Sequence, residues 1–270
     1  MLYHNSEEQV KSLIECLARS EINMLVFFID NSRDKKLEGI CTSAPGCKYI
    51  KTDENLGYGR AHNIATQSCV SISKWHLILN PDIRFDAGCL RKLMAHIGQN
   101  PKLGMIVPRV LYEDGSMQYL CKLLPTPWNV FSRRFIPFQW LVERGNYLYE
   151  MRFSDYLTPM MIPCASGCFM FCRSEALAKI GGFDERFFMY AEDVDLSRRM
   201  HCQYTVQYFP EVSIFHGYNK ESYRNYRLLK YHVVSLIRYF NKWGWFMDPE
   251  RRRLNQLAIR PFSDGVALKK

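Results

Sequence analysis

The sequence predicts an α/β fold in which a mostly parallel, Rossmann-like sheet is flanked by helices and followed by a C-terminal helical appendage. Apolar runs typical of buried strands alternate with helical patterns, the order that produces a parallel sheet covered on both faces. Two of these runs end in polar phrases, and ligands of such sheets bind at the carboxyl ends of the strands. With 270 residues, 47% of them hydrophobic, the chain can bury a large core.

Caps and hydrophobic periodicity give the order of the elements. Ser6, followed three residues later by Gln9, indicates a capping box at the start of the first helix. Continuous apolar runs indicate buried strands, and apolar residues at helical spacing indicate helices. On these grounds, strands are predicted at 24–29, 47–50, 75–79, 105–110, 204–209 and 213–215, and helices at 57–72, 86–97, 174–180 and 192–200.

Charge divides the chain into an α/β domain over 1–217 and a basic helical appendage over 218–270. The appendage holds 12 Lys and Arg against 4 Asp and Glu, whereas the rest of the chain is close to neutral. Its first helix carries an apolar stripe, which either packs on the α/β domain or on a second subunit of a homodimer, or contacts an anionic membrane surface. The stripe consists of Tyr226, Leu229, Val233, Leu236, Ile237 and Phe240.

The segment 120–158 interrupts the alternation of strands and helices. It is rich in aromatic residues and arginine, carries Pro125, Pro127 and Pro137, and shows no clean period. A surface excursion packed by its own aromatic residues and a mobile flap that binds an acceptor or touches lipid are both open, since long irregular insertions are often functional.

The ten cysteines are scattered without any C-x-x-C pair, which favours free thiols and a reducing cytoplasm. Cys164, Cys168 and Cys172 recur every four residues, as at a metal-binding helix edge, but Pro163 and Gly167 favour strand structure and buried thiols. No apolar run reaches about 18 residues and no signal peptide is visible, so we expect a cytoplasmic protein without a membrane span.

Two polar phrases lie where predicted strands end. The first consists of Asp30, Asn31 and Ser32, whose carboxylate can accept hydrogen bonds from a nucleobase or a ribose. The second runs from Asn80 to Asp82, and one carboxylate at a strand end can anchor a divalent cation whose other ligands are phosphate oxygens and water. Turn formation and helix capping are the simpler explanations of each phrase taken alone.

A glycine-rich phrase at 55–63 opens the helix that follows the second strand. Gly57 and Gly59 allow the backbone to approach a ligand, and the helix N-terminus favours a diphosphate, to which Arg60 can add a charge-assisted contact. His62 stands where a dinucleotide fingerprint has its third glycine, so that fingerprint is not met. A loop that serves only helix packing is the alternative.

An acidic phrase at 181–195 concentrates five carboxylates in an aromatic loop that leads into a helix. Apolar surroundings raise the proton affinity of a carboxylate and exclude water, and both effects suit a general base. Acidic residues in a first helical turn are also explained by the helix dipole alone. Asp193 and Asp195 cannot point the same way on a helix, so the two side chains are expected to differ in role. His216 ends a strand before Gly217 and is either structural or a metal ligand.

Together these phrases resemble family 2 of the inverting GT-A glycosyltransferases, and within it the bacterial rhamnosyltransferase-like branch. The ordered set covers about 190 residues, from Asp30 to His216, and includes 165–167 in addition to the phrases above. The resemblance implies a GT-A fold, a nucleotide-sugar donor such as dTDP-L-rhamnose or a UDP-sugar, Mg²⁺ or Mn²⁺, and a glycan or lipid-linked acceptor.

The resemblance also implies roles for individual residues. Asp193 matches the catalytic base, Glu192 shapes the site beside it, and Asp82 stands where the family's D-x-D motif binds metal, with His216 as a further metal or diphosphate contact. The residues implied to bind substrate are Asp30, Asn31, Ser32, Asn55, Gly57, Arg60, Asn63, Asn80, Ser166, Gly167 and Glu192.

Two departures from the family pattern concern the metal motif and the start of the chain. Asn80 replaces one carboxylate of the D-x-D motif, which puts metal dependence in question. Only Met1 and Leu2 precede the phrase that begins at Tyr3, where the family has an apolar strand, so we expect a truncated start and a weakened nucleobase pocket.

Three rival functions remain at this point. A nucleotidyltransferase or metal-dependent phosphohydrolase would share the glycine-rich loop and Asp82, but it would not require an acidic loop a hundred residues further on. A nucleic-acid-binding module would explain the basic appendage, but the near-neutral body argues against it, and we expect no nucleic-acid partner. A catalytically degenerate relative that only binds nucleotide sugars is the third.

Overall fold

The computed structural model describes residues 1–130, 138–217 and 226–263, and it contains two β-sheets covered by helices. The strands are β1 Val26–Asp30, β2 Cys47–Lys51, β3 Trp75–Leu79, β4 Ile83–Phe85, β5 Leu103–Leu111, β6 Met160–Met161, β7 Phe169–Arg173 and β8 Thr205–His216. The helices are α1 Glu7–Arg19, α2 Glu38–Cys41, α3 Tyr58–Cys69, α4 Cys89–Gln99, α5 Gln139–Tyr149, α6 Ser174–Ile180, α7 Glu192–Met200, α8 Tyr226–Trp243 and α9 Pro249–Ile259. Arg152–Ser154 and Arg260–Phe262 are short 3-10 helices.

The strand pairing is mixed, so the prediction of a mostly parallel sheet is wrong in this respect although the α/β class is confirmed. β1 and β2 form a parallel pair, and the larger sheet has the order β3-β7-β5-β8-β4, with β6 beside β8. Within it only β5 and β8 run parallel. β7 starts next to the carboxyl end of β3, where Phe169 pairs with Leu79, and therefore has to run back along β3.

The first helix has the predicted cap. The Ser6 hydroxyl accepts a hydrogen bond from the Gln9 N–H, and the Gln9 side chain accepts one from the Ser6 N–H, both at 3.2 Å. Val10, Leu13 and Leu17 are buried from this helix, as the helical spacing predicted. The capping box therefore fixes where α1 begins and which face meets the core.

β8 is one strand where the sequence indicated two. Its pairing with β5 shifts between Pro108 and Arg109, which pair with Phe209 and Ser213, so three residues bulge out without ending the strand. The strand continues to His216, which pairs with Ile83 of β4. β3, β5 and β8 run in the same direction, so the carboxyl ends of β3 and β8 lie at the same end of the sheet.

The C-terminal helices pack on the α/β part of the chain. Tyr239 and Phe240 of α8 form an apolar cluster with Phe187 and Ala191, and the Asp248 carboxylate before α9 binds the Arg198 guanidinium in a buried ion pair. Three members of the predicted stripe, Tyr226, Val233 and Ile237, are nevertheless exposed, so only part of the stripe packs in this way. The division at residue 217 stays a prediction, and 218–225 and 264–270 lie outside the described residues.

The segment 120–158 contains a helix that the sequence pattern did not indicate. α5 leaves Trp140, Tyr147 and Leu148 exposed, whereas the ends of the segment are anchored by buried residues such as Cys121 and Tyr156. The predicted flap falls partly on 131–137, which lie outside the described residues.

The ten cysteines are free thiols, as predicted. Cys164, Cys168 and Cys172 are buried, and burial raises the pKa of each of them. Cys202, just beyond the end of α7, is exposed. No group of three His, Cys, Asp or Glu side chains placed to hold a metal occurs in the described part of the chain. None of the described helices is long and apolar enough to cross a bilayer.

Candidate active site

The polar phrase after β1 is buried. Asp30, Asn31 and Ser32 are each at most 3% exposed. The Asp30 carboxylate accepts hydrogen bonds from the Ser32 N–H and the Tyr49 hydroxyl, both at 2.8 Å, so both of its oxygens are used within the fold. The phrase therefore forms a rigid wall at the strand end, and Asp30 shapes that wall from below its surface.

The glycine-rich phrase is held against this wall. The Asn31 amide donates to the Gly57 carbonyl and to Asn55 Oδ1, each at 3.2 Å, and Asn55 Oδ1 also accepts from the Gly57 N–H. Gly57 has a φ of 81°, and a Cβ at this position would lie 2.2 Å from the Phe188 carbonyl oxygen. Glycine is required here both by the backbone angle and by the approach of the acidic loop.

Tyr58 connects three of the predicted phrases. It is the first residue of α3, and its N–H donates to the Phe188 carbonyl at 2.8 Å. Its hydroxyl donates to the Gly167 carbonyl at 2.6 Å and lies 3.4 Å from Asn80 Oδ1. The residue lies inside a phrase that the sequence singled out, but it was not among the predicted site residues, because an aromatic residue between glycines carries no signal of a hydrogen bond to a distant loop.

The two predicted metal ligands lie together. Asp82 Oδ2 is 3.5 Å from His216 Nε2, and the Asp82 carbonyl accepts from the Gly217 N–H. Gln118 holds the histidine, because its amide donates to the His216 carbonyl at 2.9 Å and its Oε1 lies 3.0 Å from Nδ1. Burial lowers the pKa of His216, although the charge of Asp82 acts in the opposite direction. The lowered pKa favours a neutral imidazole ring. Asp82 Oδ1 is buried without a hydrogen-bond partner.

Glu192 and Asp193 open α7 and both have raised pKa values, the Glu192 side chain being buried and Asp193 half-buried. Burial, and then the neighbouring Asp193, raise the pKa of Glu192 well above its usual range. Burial also raises the pKa of Asp193, while Lys122 and hydrogen bonds from the backbone act in the opposite direction. Asp193 accepts from the Gly167 N–H at 3.2 Å and from the Val194 N–H at 2.8 Å, whereas Glu192 Oε2 has no hydrogen-bond partner.

The backbone before α7 is strained. Tyr190 and Ala191 have φ values of 69° and 63°, in the left-handed region that side chains other than glycine rarely adopt. Strain of this kind persists only where the surrounding contacts hold it, and Ser235 of α8 donates from its hydroxyl to the Met189 carbonyl next to it. Directly after this turn, Asp193 meets the Ser166–Gly167 loop through the Gly167 N–H.

Asp195 has a different role from Asp193, as its position on the helix implied. It is fully buried and accepts from the Lys242 ammonium at 2.6 Å, the Arg199 guanidinium at 2.7 Å and the Trp243 indole N–H at 2.8 Å. Lys242 also binds Asp184 at 2.7 Å. Asp195 therefore anchors α7 to α8 and has no free oxygen for substrate.

Two predicted substrate-binding residues hold the acidic loop. The Asn63 side chain donates to the Phe183 carbonyl and accepts from the Phe183 N–H, at 2.9 and 2.8 Å. Arg60 lies 3.5 Å from Glu185 in a half-exposed ion pair. Asn63 is thus committed to the fold of the loop, while the guanidinium of Arg60 stays accessible. Ser166 lies on the loop whose Gly167 N–H reaches Asp193.

The α/β architecture, with acidic side chains and a tightly packed glycine loop gathered at the strand ends, is that of a GT-A glycosyltransferase. The chain belongs to glycosyl transferase family 2, whose family model matches residues 1–181. It is rhamnosyltransferase-like within that family, which confirms the resemblance found in the sequence.

Two relatives carry this closer assignment. The chain is 27% identical over 252 residues to the N-acetylglucosaminyl-diphospho-decaprenol L-rhamnosyltransferase of Mycobacterium tuberculosis, an alignment that covers 87% of this chain and 81% of that protein. It is 25% identical over 247 residues to Rhamnosyltransferase WbbL of Escherichia coli strain K12, which covers 87% and 89% of the two chains.

Among solved structures, the mannosyltransferase PcManGT of Pyrobaculum calidifontis, in complex with GDP-Man and Mn²⁺, shares the fold. The TM-score is 0.58 at 14% sequence identity, and the match covers 98% of this chain and 74% of the mannosyltransferase. At this identity the likeness concerns the fold alone.

Proposed function

We propose that this glycosyltransferase moves L-rhamnose from dTDP-L-rhamnose, with inversion, to a hydroxyl of a lipid-linked oligosaccharide or a cell-surface polysaccharide. The named activities of the two relatives support the choice of sugar and acceptor class. The observation that supports the mechanism is the orientation of the Asp193 carboxylate. Two backbone N–H groups, of Gly167 and Val194, hold it beside the loop that contains Ser166 and Gly167.

The donor would lie along the strand ends. Asp30, Asn31 and Ser32 form the wall for the nucleobase and ribose, and Asn55 and Gly57 bring backbone close to the diphosphate at the start of α3. Arg60 supplies a positive charge that is free to exchange Glu185 for phosphate oxygens, because an exposed ion pair contributes only about 0–1 kcal/mol. Asn63, Asn80 and Ser166 complete this side of the proposed site.

A divalent cation, Mg²⁺ or Mn²⁺, fits beside the diphosphate. Asp82 Oδ1 is a buried carboxylate oxygen without a partner, and a neutral imidazole at His216 is the form that binds metal. Asp82 and His216 would hold the ion together with donor oxygens, and the ion would offset the charge on the leaving diphosphate. Asn80 adds an amide oxygen where the family has a second carboxylate, and this oxygen is near the Tyr58 hydroxyl.

Asp193 would take the proton from the acceptor hydroxyl. The hydroxyl oxygen of the acceptor would attack the anomeric carbon on the face opposite the diphosphate, and the diphosphate would leave with the nucleoside. Burial raises the pKa of Asp193 and thereby its strength as a base, and the Gly167 and Val194 N–H groups keep the carboxylate in place. Because a carboxylate is a weak base, the proton transfers late, when the oxygen is already bonding to the sugar.

A lipid-linked acceptor would bring the enzyme to the cytoplasmic face of a membrane as a peripheral protein. Exposed aromatic and apolar side chains on α5, and Phe246 and Met247 beyond α8, accompany the basic C-terminal region. Such surfaces associate with anionic bilayers through apolar insertion and about 1 kcal/mol for each nearby Lys or Arg.

The test uses radiolabelled dTDP-L-rhamnose with and without Mn²⁺. The wild type is expected to release dTDP slowly by hydrolysis and to bind the donor in a thermal-shift assay. Asp193→Asn should keep donor binding and lose about 10²–10⁴-fold in turnover, since general-base catalysis contributes that much. Asp86→Asn, an exposed carboxylate on the same domain, serves as the control and should retain activity.

Three results would count against the proposal. Release of pyrophosphate would support a nucleotidyltransferase. Binding of the donor without turnover by the wild type would indicate a degenerate relative. An Asp193→Asn variant as active as the control would remove Asp193 as the base.

A further inference from the structure

Tyr58 is held between two loops that are far apart in the sequence. Its N–H, at the start of α3, donates to the Phe188 carbonyl at 2.8 Å, and its hydroxyl donates to the Gly167 carbonyl at 2.6 Å. The ring packs against the rings of His62 and Phe183, with centroids 4.5 and 5.8 Å away. These contacts fix the direction of the ring, so the hydroxyl meets Gly167 at one defined point.

Gly167 carries two hydrogen bonds to the site on its own backbone groups. Its carbonyl accepts from Tyr58, and its N–H donates to Asp193 Oδ2 at 3.2 Å. A Cβ at this position would lie 3.4 Å from the tyrosine hydroxyl oxygen, so the backbone passes close to the ring. Glycine has more backbone freedom than other residues, and the position of this N–H therefore depends on the contacts that hold the residue.

The Asp193 carboxylate accepts two hydrogen bonds from the described residues, and they differ in origin. The Val194 N–H, at 2.8 Å, belongs to the same helix and moves with it. The Gly167 N–H comes from a different part of the chain. The bond from Gly167 is thus the one that fixes the carboxylate relative to the rest of the site.

The surroundings of Asp193 keep Tyr58 available as a hydrogen-bond donor. The titratable groups that face Asp193 are Glu192, Lys122, Tyr58, Cys164 and Cys168. Burial, and then the charge of Glu192, raise the pKa of Tyr58 well above its usual range, and burial raises the pKa of both thiols. These three groups stay protonated in the acidic range, so a change in the titration of Asp193 there reports its hydrogen bonds and the charges of Glu192 and Lys122.

Tyr58 also belongs to the donor side of the proposed site. Its main chain lies in the glycine-rich phrase at the start of α3, and its hydroxyl is 3.4 Å from Asn80 Oδ1. Loss of the hydroxyl leaves the N–H bond to Phe188 in place, because that bond is made by the main chain. Removal of this one oxygen should therefore affect Asp193 more than the binding of the donor.

We propose that Tyr58 is a positioning residue for Asp193, whose hydroxyl fixes Gly167 so that the Gly167 N–H holds the Asp193 carboxylate in place. Tyr58 acts through Gly167 and needs no contact with a substrate. The position of the carboxylate is a property of the chain alone, whereas the effect of Tyr58 on turnover rests on the proposed function.

The first test is made without donor on Tyr58→Phe, which removes only the hydroxyl. Exchange of the Gly167 amide, followed by NMR, should become at least about 3-fold faster, because the residue is no longer held. The hydrogen bond from Gly167 lowers the pKa of Asp193. When that bond weakens, the pKa of the Asp193 carboxyl group, from a carbon-13 NMR titration, should rise by up to about one unit.

Tyr208→Phe is the matched control. The Tyr208 hydroxyl is also buried and donates to a main-chain carbonyl, that of Tyr156, at 3.1 Å. This variant should leave both NMR readouts unchanged. Thermal unfolding checks that the two variants are folded. If Tyr58→Phe is not, a ring-fluorinated tyrosine at position 58, whose hydroxyl is a stronger donor, should slow the exchange of the Gly167 amide.

The second test measures turnover of dTDP-L-rhamnose. In Tyr58→Phe, kcat should fall roughly 3- to 10-fold, the range for the net loss of one hydrogen bond, while the donor KM stays within about twofold. The fall in kcat at acidic pH should begin at a higher pH, because Asp193 is protonated more easily. A role in folding alone would lower kcat by the same factor at every pH.

Two results would overturn the positioning role. One is a folded Tyr58→Phe in which the Gly167 exchange and the Asp193 pKa match those of the wild type. The other is the same changes in Tyr208→Phe. If Asp193→Asn keeps full activity, the proposed function fails, whereas the two NMR readouts of Tyr58→Phe still decide whether Tyr58 positions Asp193.

Discussion

Glu192 and Asp193 are neighbours in sequence, but their carboxyl groups differ in their hydrogen-bond partners. Asp193 accepts two backbone N–H groups, which stabilise its ionised form, whereas Glu192 Oε2 is buried without any partner. Burial, and then the neighbouring Asp193, raise the pKa of Glu192 well above its usual range, which favours the protonated form of Glu192. In the proposed mechanism, a protonated Glu192 would form an uncharged side of the site beside Asp193, the proposed base.

Lys122 is a side chain whose replacement should change the pKa of Asp193, the proposed base. Its positive charge lowers the pKa of Asp193, and its backbone pairs with Cys164 just before the loop that contains Gly167. In Lys122→Met the pKa of Asp193 should rise. As the proposed base, Asp193 would work in its ionised form, so the fall in kcat/KM at acidic pH should begin at a higher pH than in the wild type.

The measurement is a pH profile of donor turnover, with Lys92→Met on the exposed face of α4 as control. The control should reproduce the wild-type profile. A Lys122→Met profile that differs only by a constant factor at all pH values would assign Lys122 to substrate binding instead.

Single residues also show where sequence reasoning reaches its limit. The family resemblance implied that Asp82 and His216 both contact a metal ion, and the two side chains lie 3.5 Å apart. Gln118, which orients His216, lies between the strand predicted at 105–110 and the segment 120–158, where no element was predicted, and the role of Tyr58 depends on a loop 109 positions away. Such contacts come from the tertiary path of the chain, which local patterns do not encode.

At the scale of elements, α7 is fixed by its buried contact with α8. Asp195 accepts from Lys242, Arg199 and Trp243 while the first turn of the same helix presents Glu192 and Asp193. Asp195→Ala would leave Arg199 and the Trp243 indole N–H without this acceptor and Lys242 with Asp184 alone, and breaking a buried ion pair costs about 3–5 kcal/mol. The free energy of unfolding, from urea titration, should fall by that amount, while Asp86→Ala should be neutral.

A double-mutant cycle tests whether Asp195 stabilises the protein through Lys242. If Asp195 acts through Lys242, the combination of Asp195→Ala with Lys242→Met should cost less than the sum of the two single changes. Strict additivity would show that the two side chains do not stabilise α7 together.

The start of α3 requires glycine at position 57. Gly57→Ala would force a side chain into a positive φ and against the Phe188 carbonyl, so we expect a loss of at least about 1–2 kcal/mol in unfolding free energy and weaker donor binding. Gly39→Ala in α2, where nothing lies within 4 Å, is the matched control and should be neutral or slightly stabilising. Donor binding unaffected by Gly57→Ala would separate this loop from the donor site.

The order of the elements was predictable and the direction of one strand was not. Periodicity and caps located α1, α6, α7 and β3 close to their observed bounds. β7 reads as an ordinary buried strand, and nothing in its composition states that it runs antiparallel between β3 and β5. The direction of β7 depends on the end of the sheet at which the preceding loop places Phe169. The path of that loop is not encoded in the composition of the strand.

At the scale of the whole molecule, the protein has both exposed apolar side chains and a strongly basic C-terminal region. Trp140 is 65% exposed and Phe246 83%, and the C-terminal fifth of the chain carries most of the net charge of +9. We expect the protein to float with liposomes that contain anionic lipid and to be released by salt, because screening weakens the charge term.

Trp140→Ser should reduce flotation several-fold, while Ile72→Ser, an equally exposed apolar residue on the α/β part, should not. Failure to bind anionic liposomes at any salt concentration would contradict peripheral membrane association and leave the exposed residues to contacts with an acceptor or another protein.

The uneven shielding of the ten thiols has a practical consequence. Nine of them are buried or partly covered, and only Cys202, two residues beyond α7, is exposed. A maleimide dye would therefore attach there first, without any engineered cysteine. The fluorophore would sit at the far end of the helix whose opening turn carries both acids, so a shift in its emission would report any reorientation of that helix during a catalytic cycle.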